Sequence, residues 1–290
     1  MAQTSDALTY SMADDLAYVK QVVEKSGSSF LAGMKVLPKA RRDAMFSIYA
    51  FCREVDDIAD EPGDLDERRQ AMQDWRQEID NLYAGAPTRE ITRALLQPVA
   101  DYDLPKEEFL AIIDGMEMDL HRDMRAPSMD DLVAYVRCVA VAVGLLSVRA
   151  FGAKGEEADR IAFSLGEALQ FTNILRDLND DLELGRLYLP KEYLERHGIT
   201  EIDPKEVLQH PNLPAVCRDL AMLARERFQE TRKILSETNQ RRALKPSILM
   251  MEVYERTLEK LIEADWQNIE ERVSISTASK LWILIRHGLF

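Results

Sequence analysis

The sequence is poor in the residues that interrupt helices or cross-link a chain. Glycine (12) and proline (11) both fall below ordinary usage in 290 residues, and no Asn-Gly or Asp-Gly hairpin signature stands between two alternating apolar runs. That argues against a sheet protein. Cysteine is scarce as well: Cys52, Cys138 and Cys217 lie far apart, without the paired spacing of a zinc site or the density of a disulfide framework, so a reducing compartment is expected. Basic residues are outnumbered, with Lys+Arg 37 against Asp+Glu 51 and a net charge of −14. Nucleic-acid binders draw their affinity from neutralising phosphates with cations, so a general nucleic-acid partner is excluded. Any phosphate held by so acidic a chain calls for a metal. No apolar run near either end of the chain is long enough to span a membrane. The stretch 281–285 is followed by Arg286 and His287 and falls short of the ~20 residues of a membrane span. Residues 1–18 carry Asp6, Asp14 and Asp15 and no basic-then-apolar pattern, so neither a signal peptide nor a spanning helix is expected.

What the chain does contain is helical spacing. Hydrophobic residues make up 46% of it, enough for a large core. Ala44, Ile48, Cys52, Val55 and Ala59 follow steps of three and four. So do Leu132, Tyr135, Val139, Ala142 and Leu146, then Ala158 through Leu182, then Ile248 through Leu261. Breakers such as Pro62-Gly63, Pro87, Pro105, Pro127, Gly152, Gly185 and Pro246 divide the chain into about ten helices. With no linker or repeat, the expectation is an all-α fold in one domain over residues 1–290, with 1–15 disordered. The segment 42–59 is apolar on nearly every side, which predicts a central helix.

Two acidic clusters close apolar helices: Asp56-Asp57-Ile58-Ala59-Asp60, and Asp177-Leu178-Asn179-Asp180-Asp181. Steps of four put Asp56 over Asp60 and set Asn173, Asp177 and Asp181 in one column. Acids are common enough here that such clusters also arise by chance as solvated helix ends. Their placement says more. Both lie in last turns, where the helix dipole and like charges at i,i+4 each disfavour acids by tenths of a kcal/mol. Two helices under the same penalty point to a cation supplied from outside, and oxygen ligands without His or Cys suit Mg²⁺. Arg53, Arg176, Arg186 and Tyr188 flank the clusters; they read either as intrahelical ion pairs or as clamps for a diphosphate.

Together, Ser26-Gly27-Ser28-Ser29-Phe30, Cys52-Arg53-Glu54-Val55-Asp56-Asp57-Ile58-Ala59-Asp60, Gln170-Phe171-Thr172-Asn173-Ile174-Leu175-Arg176-Asp177 and Gly185-Arg186-Leu187-Tyr188-Leu189-Pro190 resemble the squalene/phytoene synthase family. The resemblance implies the isoprenoid synthase fold, a helical barrel-like bundle around a central cavity, with two aspartate-rich motifs facing each other. It implies Mg²⁺ on Asp56, Asp60, Asn173, Asp177 and Asp181, with those aspartates and Tyr135 catalytic. It places diphosphate on Ser29, Arg53, Asn173, Arg176, Arg186 and Tyr188, and a pocket lined by Phe30, Tyr49 and Phe51. The segments 54–60, 113–119 and 142–149 look most like the bacterial hopanoid branch. That likeness implies condensation of two farnesyl diphosphates to presqualene diphosphate, with Mg²⁺ and without NADPH. Phytoene or dehydrosqualene synthesis is the alternative, and a non-catalytic assembly factor of the same fold is another. A cytoplasmic location is expected, with peripheral inner-membrane contact through residues 280–290 and downstream pathway enzymes as partners.

Overall fold

The computed structural model describes residues 12–26, 30–276, 279 and 282–283. The segment 280–290 expected to touch a membrane lies almost wholly outside them. The described residues form an all-α fold, and their one strand-like feature is an isolated bridge between Arg125 and Leu187. In chain order the helices are α1 (Met12–Lys25), α2 (Phe30–Lys35), α3 (Lys39–Asp60), α4 (Leu65–Tyr83) and α5 (Glu90–Tyr102). Next come α6 (Lys106–His121), α7 (Met129–Val136), a π-helical segment (Arg137–Val141), α8 (Ala142–Ala150) and α9 (Glu156–Arg176). The last five are α10 (Leu178–Glu183), α11 (Lys191–Arg196), α12 (Pro204–Leu208), α13 (Leu213–Glu237) and α14 (Lys245–Ala264). Helices α2, α10, α11 and α12, of 5 or 6 residues each, account for the excess over ten. They complete too few turns for apolar periodicity to register.

Local sequence explains most boundaries. Asp64, Ser128 and Asp203 precede α4, α7 and α12, and their side chains accept hydrogen bonds from the free backbone N–H groups of the first turn. Helix α3 stops where Glu61 turns extended (ψ 139°) ahead of Pro62.

Two large apolar clusters make most of the core, one built around α3 to α6 and the other around α9, α13 and α14, with Val139 packed against both. Helices α3 and α9 flank α8. The approach is close because glycines leave room for backbone. A Cβ on Gly166 of α9 would stand 2.9 Å from Val141 Cα, and one on Gly144 of α8 would stand 3.0 Å from the Ala162 carbonyl oxygen. From the other side, a Cβ on Gly115 of α6 would stand 2.5 Å from the Val139 side chain. The π segment is thus clasped between α6 and α9. These pairings also fix direction: α8 runs opposite to α9, and Arg41 at the start of α3 donates to the Phe151 carbonyl oxygen (2.6 Å), so α8 runs opposite to α3 as well. Both flanking helices therefore point their C-terminal ends the same way.

The continuous helix Met129–Ala150, 22 residues with an 18-residue window of mean hydropathy 1.9, is long and apolar enough to cross a membrane. In this structure half of that window is buried, and the helix packs on α6 and α9. Gly166→Ala forces its new methyl group against backbone that cannot yield. A loss of about 1–3 kcal/mol is expected, seen as a lower melting temperature by calorimetry. An unchanged melting temperature would contradict the close packing.

Candidate active site

The C-terminal ends of α3 and α9 open into one cleft of about 770 Å³. The second acidic helix is not continuous as its spacing predicts: α9 ends at Arg176, Asp177 leaves helical geometry (φ −104°, ψ 21°), and α10 starts at Leu178. Hydrogen bonds from Asp177 N to Asn173 O (2.8 Å) and from Asp181 N to Asp177 O (2.9 Å) nevertheless keep the three residues in a kinked column. Asp56, Asp60, Asn173, Asp177 and Asp181 all line the cleft, as do Arg53, Arg176, Arg186, Tyr135 and Tyr188. Asp57 does not line it; its carboxylate pairs with Arg53 on the flank of α3.

The arginines hold the carboxylates one by one. Arg53 donates to Asp56 (3.0 Å), Arg186 to Asp60 (2.7 Å), and Arg176 to Asp177 (2.7 Å). Arginine also covers the negative end of α3: Arg68 donates to the Ile58 carbonyl (2.9 Å) and Arg186 to the Ala59 carbonyl (3.1 Å). The Trp266 indole does the same for α9, donating to the Leu175 carbonyl (2.9 Å). Even so, six aspartates line the cleft against four arginines, so acid remains in excess.

The excess leaves its mark on proton affinity. Burial, with the Asp60 charge second, raises Asp56 to about 7. Burial, then Asp177, raises Asp181 to about 8. Asp56 keeps 36% of its side chain exposed, so solvent screens part of this effect. Burial opposes the charge on Arg176, but the hydrogen bond and charge of Asp177, together with Tyr254, more than offset that cost and hold the guanidinium protonated.

Could a metal sit here? Among the described residues no three His, Cys, Asp or Glu side chains converge closely enough to enclose an ion by themselves. A Mg²⁺ site does not need that, since the ion typically takes one or two carboxylates and completes its shell with water and substrate phosphate. The donors fit such ions: all are oxygens, and the Asn173 Oδ1 acceptor is buried without a hydrogen-bond partner.

Beneath the cleft lies an apolar pocket of about 230 Å³, walled by α2, α3, α8 and α9 with the π segment and the start of α14. Tyr49, Gln170 and Asn173 line both spaces, so the charged cleft and the apolar pocket adjoin. Phe51, predicted as a pocket residue, is not one. It is fully buried on the opposite face of α3, edge-on to Trp75 (5.4 Å) and Phe109 (5.2 Å). Ser29 lies outside the described residues, and the side chain of Phe30 is not among those described.

The family model for squalene/phytoene synthase matches residues 23–279. The chain belongs to the squalene/phytoene synthase family. It is 43% identical over 263 residues to a presqualene diphosphate synthase of Sinorhizobium fredii, covering 91% of this chain and 94% of that one. It is 44% identical over 260 residues to a presqualene diphosphate synthase of Zymomonas mobilis, covering 89% and 88%. A solved dehydrosqualene synthase is similar in fold, with a TM-score of 0.79 at 26% identity over 95% of each chain.

This squalene/phytoene synthase family member also brings residues to the cleft that its sequence did not single out. Arg272 donates to Asp177 (3.0 Å) from the irregular segment after α14, where no periodicity marks it. Tyr254 of α14 lies under the Arg176 guanidinium, 5.9 Å from its ring centre. Asp119, in the last turn of α6, accepts from the phenols of Tyr135 (2.9 Å) and Tyr188 (2.6 Å). It carries the same signal as the two acidic clusters, an acid at the wrong end of an apolar helix.

A carboxyl group raised on folding binds an extra proton in the folded state, so it favours folding as pH falls and opposes it as pH rises through the folded value. In metal-free protein, Asp181→Asn is therefore expected to raise the melting temperature by a few degrees at pH 9. At pH 6 the gain should shrink. An equal gain at both pH values would show that Asp181 is not strained by charge.

Proposed function

We propose that this protein joins two farnesyl diphosphates head to head, releasing one diphosphate and forming presqualene diphosphate. The observation that carries the reading is an arginine- and carboxylate-lined cleft adjoining an apolar pocket across shared lining residues, which matches a substrate with a diphosphate head and a hydrocarbon tail. Kinship over nearly the whole chain with presqualene diphosphate synthases supports the choice of substrate and product.

Arg53, Arg176, Arg186 and Arg272 are placed to clamp diphosphate oxygens by charge-assisted hydrogen bonds. Asp56, Asp60, Asn173, Asp177 and Asp181 would hold divalent cations, Mg²⁺ by their chemistry. When bound, these cations neutralise diphosphate and make it a better leaving group. Departure of diphosphate leaves an allylic cation on one farnesyl chain. The second chain's double bond attacks that cation, and loss of a proton closes the cyclopropane. The apolar pocket excludes water that would otherwise capture the cation. The Tyr49 ring stands at the junction of cleft and pocket, where an aromatic face stabilises positive charge.

Purified protein incubated with Mg²⁺ and no NADPH is expected to convert farnesyl diphosphate to presqualene diphosphate. Consumption of geranylgeranyl diphosphate alone, with phytoene as product, would overturn the assignment. Chelation should abolish turnover and Mg²⁺ restore it. Asp60→Ala and Asp177→Ala should each lower turnover at least ~100-fold. Full activity in either variant would remove that carboxylate from the metal site.

A further inference from the structure

The proposed reaction ends with loss of a proton, and the fold holds a group suited to take it. Asp119 lines the cleft from the end of α6. Asp56, Asp60 and Asp177 each hold a hydrogen bond with an arginine, whereas the hydrogen bonds of Asp119 run to two phenols. Tyr135 Oη donates to its Oδ2 at 2.9 Å and Tyr188 Oη to its Oδ1 at 2.6 Å. The two phenol oxygens are 3.3 Å apart, and the rings are stacked with centres 4.9 Å apart and planes 14° from parallel.

This geometry dictates where lone pairs point. An ionised carboxylate only accepts, and each phenol owns a single proton. Tyr135 directs its proton at Asp119 and, at the longer 3.3 Å, at the Tyr188 oxygen, so the Tyr135 oxygen accepts from neither partner and keeps its lone pairs free for the cleft. Stacking locks the rings, and burial of both tyrosines (5% and 4% exposed) prevents them from swinging away.

We propose that Asp119 orients the Tyr135 phenol as the base of the ring-closing step and accepts the proton that Tyr135 passes on. The inference rests on reading the cleft as the place where diphosphate leaves. When the C1–O bond of the first farnesyl chain breaks, its electron pair departs with diphosphate. The double bond of the second chain supplies the pair for the first new C–C bond. The C1–H bond then breaks, and its pair closes the ring. The proton goes to the Tyr135 oxygen, while the proton Tyr135 already carried moves along its hydrogen bond to Asp119 Oδ2. Tyr135 is neutral before and after, so no phenolate forms, in keeping with the strong resistance of this buried phenol to ionisation. Asp119 itself is raised by burial against the opposing pull of Arg186 and the two phenols, which suits a carboxylate that must hold a proton briefly. The charged groups that face it are Arg186, Asp56, Asp60 and Asp181. Asp119 is thus a positioning residue that acts through Tyr135.

Asp119→Asn keeps the shape of the side chain and removes its ability to take a proton. The informative quantity is presqualene diphosphate formed per diphosphate released, since that ratio does not depend on the folded fraction. The Asn variant is expected to keep KM for farnesyl diphosphate within a few fold of the wild type and still release diphosphate. Its presqualene diphosphate yield per release should fall about 100-fold, with the cation diverted to farnesol and related alcohols. Deuterium at C1 of the substrate should depress product formation more in the variant than in the wild type. Tyr135→Phe should give the same diversion, and the double variant should add nothing to it. Asp119→Glu, which retains a carboxylate, should recover part of the ratio. A wild-type ratio in Asp119→Asn would overturn this proposal alone. Failure of the wild type to release diphosphate at all would overturn the proposed function, and this inference with it.

Discussion

The arrangement depends on one electrostatic constraint: two helices that end in carboxylates end in the same place. Each C-terminus already carries the negative end of a helix dipole, and each adds aspartates to it. Left alone, the α3 and α9 ends would repel one another across the cleft. Arginine makes the juxtaposition tolerable by two routes, pairing with carboxylates (Arg53, Arg176, Arg186) and covering terminal carbonyls (Arg68, Arg186). Arg186 serves both, which is why the Gly185 turn that delivers it matters as much as the acidic motifs.

That compensation is incomplete, and the shortfall has a use. A fully neutralised cleft would have little affinity for further cations. Here acid outnumbers arginine, Asp56 and Asp181 are pushed toward neutral pH, and a buried amide oxygen on Asn173 lacks a partner. The apolar pocket below follows a different logic. It is walled by side chains such as Ile48, Val143, Leu165 and Met250 that offer nothing to a cation except the absence of water. The two environments meet at Tyr49, Gln170 and Asn173, so suitable surroundings for the head and for the tail of an amphiphilic substrate lie side by side.

Most of this was legible in the sequence because helix periodicity and acid placement are local properties. The steps of α3, α9 and α14 announced helices, and Asp56, Asp60, Asp177 and Asp181 reached the cleft with their flanking arginines. Illegible features share a cause, that neighbours in space rather than in sequence decide them. Phe51 and Tyr49 are both aromatics on a helix whose sequence is apolar on nearly every side, and only packing against Trp75 and Phe109 sends one away from the cavity. Asp119 carries the local mark of an acid at a helix C-terminus, but only the two tyrosines that converge on it from distant segments set it apart from Asp114 and Glu117. Arg272 comes from a stretch with no period at all. The break at Asp177 was hidden because its backbone still makes bonds of helical spacing.

The π segment Arg137–Val141 acts as a phase shift within one rod. Ala142 N–H reaches back five residues to the Arg137 carbonyl, so an extra residue is accommodated without interrupting the helix. Tyr135 on one side of the shift looks into the charged cleft, while Val139, Ala140, Val143 and Gly144 across and beyond it look into the apolar pocket. A uniform α-helix would turn those two sets by ~100° relative to each other. The helix is therefore indexed rather than merely long: its two chemistries stay aligned with one substrate only while the residue count between them is kept.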